Sequence, residues 1–164
     1  MEAGTGMTAG ADAASSSDLL AALPQEHRER LMGLAREVRY PGGARVFEEG
    51  GAADRFWIIR TGTVALDVHV PGRGPAVVET IGAGALLGWS WLCPPRQWHL
   101  GAGTRSPVTA WEFDAAAVGA LCAAHPDLGL ALVTLVAGTI GHRLRATRTR
   151  LLDLYGPPRT GPRP

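Results

Sequence analysis

Ile81-Gly82-Ala83-Gly84-Ala85-Leu86-Leu87-Gly88-Trp89-Ser90-Trp91-Leu92-Cys93-Pro94-Pro95-Arg96-Gln97-Trp98-His99-Leu100-Gly101-Ala102 is the stretch around which the chain is organised. Gly82, Gly84 and Gly88 permit tight turns or the close approach of a ligand to the backbone. Arg96 is the only charged side chain in the stretch, and three of the chain's five tryptophans, Trp89, Trp91 and Trp98, crowd around it. Two physical explanations fit this composition. The segment is a packed surface turn whose arginine reaches solvent, or a small anion pocket where backbone N–H groups and one arginine hold a phosphate.

On both sides of this segment the pattern is that of short strands broken by Gly, Pro and Asp. Arg45-Val46-Phe47, Phe56 to Arg60, Ala76 to Ile81, His99 to Ala102 and Val108 to Phe113 each read as a strand. From Thr63 to Val70, Val64, Leu66, Val68 and Val70 alternate with Thr63, Ala65, Asp67 and His69, the spacing of a half-buried strand. Pro71-Gly72-Arg73-Gly74-Pro75 makes the following hairpin loop. Many short strands at close spacing predict a β-sandwich or barrel of the jelly-roll kind, so the fold class is mainly β with flanking helices.

Further out, both ends of the chain turn helical. Asp18 to Leu23 predicts a short helical turn, and Pro24 opens a second helix, where its missing N–H is harmless. Leu31, Leu34, Ala35 and Val38 give that helix an apolar stripe, which stops at the turn cluster Tyr40-Pro41-Gly42-Gly43. Asp114 is placed to cap a helix through Ala124, and His125-Pro126 breaks it. A long helix then runs from about Asp127 to Tyr155. Its stripe of Val133, Val136, Ile140, Leu144, Thr147, Leu151 and Leu154 is spaced like a coiled coil. Burying that stripe partly on the barrel and partly on a second copy predicts a parallel homodimer. Residues 1–17 and 156–164 are poor in large apolar side chains and are expected to be disordered tails around one domain at 18–155.

Bulk properties narrow the function classes. Hydrophobic residues make up 46% of the 164 and charged residues 19%, so the chain can bury a core. A net charge of +1 gives no global attraction to nucleic acid or to acidic membranes. Cys93 and Cys122 form neither a disulfide framework nor a zinc site. The N-terminus lacks a basic patch followed by an apolar run, so no signal peptide is expected. The apolar run Leu128 to Ile140 reads as too short to span a bilayer. These readings together predict a cytoplasmic protein without membrane association.

The order of helix, antiparallel β-roll, short helix and long dimer helix resembles the cyclic nucleotide-binding domain family, including its catabolite-activator-type bacterial regulators. Pro41-Gly42, followed by the run from Val46 through Gly50-Gly51 to Ile59, is similar to the family's first glycine-bearing hairpin and its next strand. Arg60-Thr61-Gly62-Thr63-Val64 resembles the turn that follows, and Ile81 to Gly88 resembles the approach to the phosphate-binding cassette. The resemblance covers Leu31 to Tyr155. It implies that Arg96 pairs with a cyclic phosphate and that backbone near Gly88, Trp89 and Ser90 cradles it. It also implies that Thr147 and Arg148 stand where a residue pair on the long helix touches the base. On residue type alone, Thr147 reads equally as a dimer-seam residue and Arg148 as a solvated one.

The cassette departs from the family pattern. Trp89 replaces the glutamate that accepts from the ribose 2′-hydroxyl, and Gln97 and Trp98 replace the small residues after the arginine. The segment between Gly88 and Arg96 is also shortened. A hydrogen bond to a charged group contributes about 1.5–3 kcal/mol, so its loss costs roughly ten- to a hundredfold in affinity. Stacking of Trp89 or Trp98 on a base recovers about 1–3 kcal/mol by analogy with single-strand binders. Three outcomes stay open: cyclic AMP or another cyclic nucleotide, a different small anionic ligand, or a structural pocket that binds nothing.

The remaining candidates have plainer readings. Arg143, Arg145, Arg148 and Arg150 are expected to be a solvated helix end, favoured by the helix dipole. The chain ends nine residues after Tyr155, so no helix-turn-helix and no sequence-specific DNA binding are expected. His27, His69, His99, His125 and His142 lack metal spacing, and His99 reads as an outward strand residue. Cys93 reads as a small buried filler, and Glu48, Glu49 and Asp54 as polar turn residues. With no nucleophile–base constellation, no catalytic residue, metal or required cofactor is expected. The expected function is a stand-alone regulatory module that senses cyclic AMP or a related nucleotide and signals to a protein partner. The alternative is a degenerate domain that serves as an interaction scaffold.

Overall fold

The computed structural model describes residues 18–156; the tails expected at either end lie outside them, apart from Gly156. In chain order the elements are α1 (Leu19–Ala22), α2 (Gln25–Met32), β1 (Arg36–Tyr40), β2 (Arg45–Phe47), β3 (Arg55–Thr61), β4 (Val64–Val70), β5 (Gly74–Ile81), β6 (Leu86–Leu87), β7 (Gly101–Thr104), β8 (Val108–Asp114), α3 (Ala115–Ala124) and α4 (Pro126–Tyr155). A single 3-10 turn, Ser90–Leu92, stands between β6 and β7. The strands form two four-stranded antiparallel sheets, ordered β1-β8-β3-β6 and β2-β7-β4-β5. This is the predicted β-roll, flanked by helices.

Strand alternation divides the core into two layers. On β3, Trp57 faces the second sheet, where it stacks on Phe47 of β2. Its neighbour Phe56 therefore faces the helices, and it stacks on Phe113 of β8 and on Trp91. Val118 of α3 and Leu132 and Val136 of α4 join the same buried cluster. The caps follow from composition. Asp18 accepts from the amides of Leu20 and Ala21, and Asp114 accepts from that of Ala117.

Several expectations are corrected. The stripe assigned to the second helix ends early, because α2 stops at Met32 and Val38 lies in β1. Antiparallel pairing of Val38 with Ala110 on β8 outweighs a weak local helical spacing. The strand expected at His99–Ala102 starts two residues later, at Gly101, and β5 starts two residues earlier, at Gly74. The two-residue β6 carries too little pattern to have been read. In β4, Val64 through Asp67 are all buried, so the half-buried alternation fails there. Asp67 is covered by Arg45 of β2, which crosses over β7 to reach it with hydrogen bonds of 2.5 and 2.7 Å. Gly101 makes the crossing possible: a Cβ there would collide with the Arg45 guanidinium and the Asp67 carboxylate.

The long helix is also partly corrected. Val136, 1% exposed, packs into the core and does not belong to an outward seam. The outward positions are Leu130, Val133, Ala137, Leu144, Thr147, Leu151 and Leu154, of which Leu130, Leu144 and Leu154 are 72%, 68% and 80% exposed, whereas Ile140 is half-buried against the core. Contrary to the expectation from Leu128–Ile140 alone, α4 is long and apolar enough by length and composition to cross a membrane. It is docked on the barrel through Leu132 and Val136, each 1% exposed and part of the core cluster.

Candidate functional site

The cassette begins where β6 ends. Gly88 has φ +82°, a conformation that favours glycine, and a Cβ there would stand 2.7 Å from Cζ3 of Trp98. The chain then turns through Ser90–Leu92 and returns along residues 50–53. Ala53 donates to the Arg96 carbonyl (2.8 Å), Trp98 donates to Gly51 (2.9 Å), and Gly50 donates to Trp98 (2.8 Å). Gln97 faces Ala52 across this short antiparallel bridge.

Residues two apart on a strand share a face, but the positive φ of Arg96 breaks that alternation, so Trp98 points inward and Arg96 outward. The Trp98 indole is 5% exposed, stacks on Phe47 with centroids 4.0 Å apart, and tilts against Trp57 at 5.9 Å. It fills the space against Gly88. Arg96 is exposed, takes φ +56°, and its guanidinium makes no hydrogen bond or ion pair among the described residues. Gln97 is exposed beside it. Ser90 is buried, and its Oγ lies 2.9 Å from Nδ1 of His99; Trp89 stacks on the His99 ring at 5.0 Å. Gly88, Trp89, Ser90 and Trp98 thus come together. Thr147 and Arg148 do not join them: both are exposed on α4, with Thr147 on the outward heptad.

Two minor assignments change. Cys93 is exposed rather than a buried filler, because the turn and Pro94-Pro95 carry it to the rim. His99 is exposed as expected but precedes β7, and it is tied to Ser90. The half-buried Cys122 thiol is pushed up by desolvation. Among the described residues, no group of three His, Cys, Asp or Glu side chains is arranged to hold a metal.

Two open cavities lie elsewhere. One, of about 360 Å³, is bordered by Arg45, Glu48, Glu49, Asp67, His69 and Pro75; the other, of about 310 Å³, by Leu34, Arg36, Arg55, Glu112 and Asp114. Neither touches Gly88, Arg96 or Trp98. Both are lined by charges that already have partners. Glu112, 8% exposed, accepts from Trp57 Nε1 (2.9 Å) and from Arg36 (2.5 Å). Burial, and then the Glu112 carboxylate, push the Tyr40 hydroxyl up.

Sequence reasoning missed Arg143. The arginine run is not uniformly solvated: the Arg143 side chain is 13% exposed and donates to the Leu86 carbonyl at 2.5 Å, and Arg150 donates to the Val78 carbonyl. The available signal was helical phase, since both arginines follow Val136 at seven-residue intervals on the barrel-facing side.

Residues 37–125, more than half of the chain, match the family model for the cyclic nucleotide-binding domain. The chain is 29% identical over 117 residues to the CRP-like cAMP-activated global transcriptional regulator of Mycobacterium tuberculosis, covering 71% of this chain and 50% of that one. It therefore spans about half the length of the curated relatives it matches. A cyclic nucleotide-binding domain from Methylobacillus flagellatus superposes with a TM-score of 0.75 at 20% identity, over 84% of this chain and 80% of that one. The N-terminal domain of a transcriptional regulator from Streptomyces coelicolor superposes with a TM-score of 0.64 at 25% identity, over 79% and 90%. On the match across the β-roll and the cassette, the chain belongs to the cyclic nucleotide-binding domain family.

Proposed function

We propose that this chain is a cytoplasmic, non-enzymatic regulatory module in which Trp98 occupies the notch that the family resemblance assigns to a nucleotide. It dimerises along α4 and acts on a protein partner. The observation that carries this reading is the Trp98 indole seated between Phe47 and Gly88. Admitting a ligand there requires moving that ring out of the core, and emptying the site of a large aromatic costs about 3–5 kcal/mol. A guanidinium–phosphate hydrogen bond returns about 1.5–3 kcal/mol. Stacking on a base adds about 1–3 kcal/mol, which brings the return level with the cost and leaves no net gain to hold a ligand, so the scaffold alternative is favoured over nucleotide sensing.

Sensing of cyclic AMP or a related nucleotide is kept as a second reading because the Arg96 guanidinium is exposed and unengaged at the cassette rim. In that reading Gly88, Trp89, Ser90, Gln97 and Arg96 hold the phosphate once Trp98 swings out, and Thr147 and Arg148 reach the base across the dimer. Calorimetry with cyclic AMP and cyclic GMP separates the two. Wild type is expected to give no saturable heat with either. Saturable binding that disappears in Arg96→Ala overturns the proposal in favour of sensing.

The dimer is tested independently. Leu144 is 68% exposed on the outward heptad, so a buried Asp pair at that position of a dimer is strongly unfavourable. Leu144→Asp should halve the mass seen by light scattering without altering the thermal melt of the barrel. A wild-type protein already monomeric at high concentration rules out the helix-mediated dimer.

A further inference from the structure

The near-zero net charge of the chain hides a strong asymmetry. Residues 1–141 carry ten arginines against fourteen Asp and Glu, whereas residues 142–164 carry six arginines against one acid, Asp153. A split of this kind points to an anionic partner for the basic end. Arg143, Arg145, Arg148 and Arg150 of that end all lie on α4, and helical phase divides them. Arg143 donates to the Leu86 carbonyl with its Nε 3.5 Å from the Glu79 carboxylate, and Arg150 donates to the Val78 carbonyl, so both are committed to the barrel. Arg145 and Arg148 are exposed, and their guanidiniums make no hydrogen bond or ion pair among the described residues.

The apolar side chains follow the same phase. Gly141, Arg145, Arg148, Leu152 and Tyr155 succeed one another at intervals of four, three, four and three residues, which places them on one face of the helix. Arg143 and Arg150 grip the barrel from the opposite side, so this face is aimed at solvent. Leu152 and Tyr155 are 61% and 83% exposed on it, and Asp153 falls on a different face. Toward the start of the helix the outer side continues without charge. Leu130, Thr134, Ala137 and Gly138 are exposed, and no charged side chain occurs from Leu128 to Gly141.

Exposed apolar side chains interleaved with unpaired guanidiniums suit one kind of partner. A nucleic-acid backbone would engage the arginines but offer nothing to Leu152. An anionic bilayer surface takes both. Its phosphates accept from the guanidiniums, and its headgroup–acyl boundary takes the leucine and the tyrosine ring, whose hydroxyl stays with water. Since α4 is docked on the barrel through Leu132 and Val136, it lies on such a surface and does not cross it while the barrel is intact.

We propose that the outer face of distal α4, formed by Arg145, Arg148, Leu152 and Tyr155, docks the protein on lipid bilayers that carry anionic headgroups. This binding needs neither the Trp98 plug nor the dimer, so it goes beyond the proposed function and stands or falls separately from it.

Flotation of the full chain with vesicles tests the proposal, using phosphatidylcholine alone against an equal mixture of phosphatidylcholine and phosphatidylglycerol. Wild type should float with the mixed vesicles, stay behind with the neutral ones, and be released by high salt. An arginine near an anionic surface contributes about fivefold to partitioning, so Arg145→Ala/Arg148→Ala should weaken binding about 25-fold. Leu152→Ser keeps the charge and should weaken binding about tenfold. Arg73→Ala/Arg105→Ala removes two exposed arginines elsewhere and should change nothing. None of these side chains is buried, so every variant should melt like wild type. No binding to the mixed vesicles, or equal losses from the two arginine pairs, overturns the proposal. Binding that needs Arg145 and Arg148 but ignores Leu152→Ser overturns it too, in favour of a soluble polyanion.

Discussion

Trp98→Ala should lower the unfolding free energy by about 3–5 kcal/mol, as read by urea denaturation, the largest single effect expected in this chain. The indole is 5% exposed and contacts Phe47, Trp57 and the bare backbone of Gly88, so nothing small can collapse into its place. Trp98→Phe keeps a planar ring in the stack and should cost about half as much or less, because it deletes fewer buried atoms. A loss below about 1 kcal/mol for the alanine variant would mean that the ring is not part of the core. The structural plug and the proposed function would then fail together. The same variant also empties the notch beside Arg96, which makes it the most favourable form of the chain for nucleotide binding.

Arg45→Ala should cost about 2–4 kcal/mol in the same measurement. Asp67 has a side chain only 8% exposed, and its carboxylate is held in two hydrogen bonds by Arg45. Removing one member of a buried pair typically costs about 3–5 kcal/mol, because the other charge is left without a partner. The lower figure applies because the Arg45 side chain is 34% exposed and solvent screens part of the interaction. The pair also raises the Arg45 pKa, chiefly through the Asp67 hydrogen bond. Arg45→Ala/Asp67→Ala should recover part of the loss, since no uncompensated carboxylate remains. If the double variant is less stable than the sum of the single ones, the pair is not the source of the cost.

Much of the architecture was legible because it is set locally. Asp114 caps α3 through its own side chain, His125-Pro126 separates two helices by removing a donor, and the glycine-rich turns bracket the strands. These signals act over a few residues. The main failures involve partners distant in sequence. Val38 followed a helical spacing until β8 paired with it, and Val136 sat in an outward stripe until the barrel gave it a core to enter. The cassette residues could be named from resemblance, but the direction each side chain takes depends on the bridge between 50–53 and 96–98.

The order and kind of most elements and the family membership were determined by the amino-acid sequence itself, because capping, periodicity and motif spacing are written in neighbouring residues. Only the tertiary structure decided that Trp98 points inward and Arg96 outward, and that Arg143 is buried against β5 and β6. Those outcomes are set by which surfaces meet when the two sheets close, and burial is a property of the assembled layers rather than of any residue's neighbours along the chain.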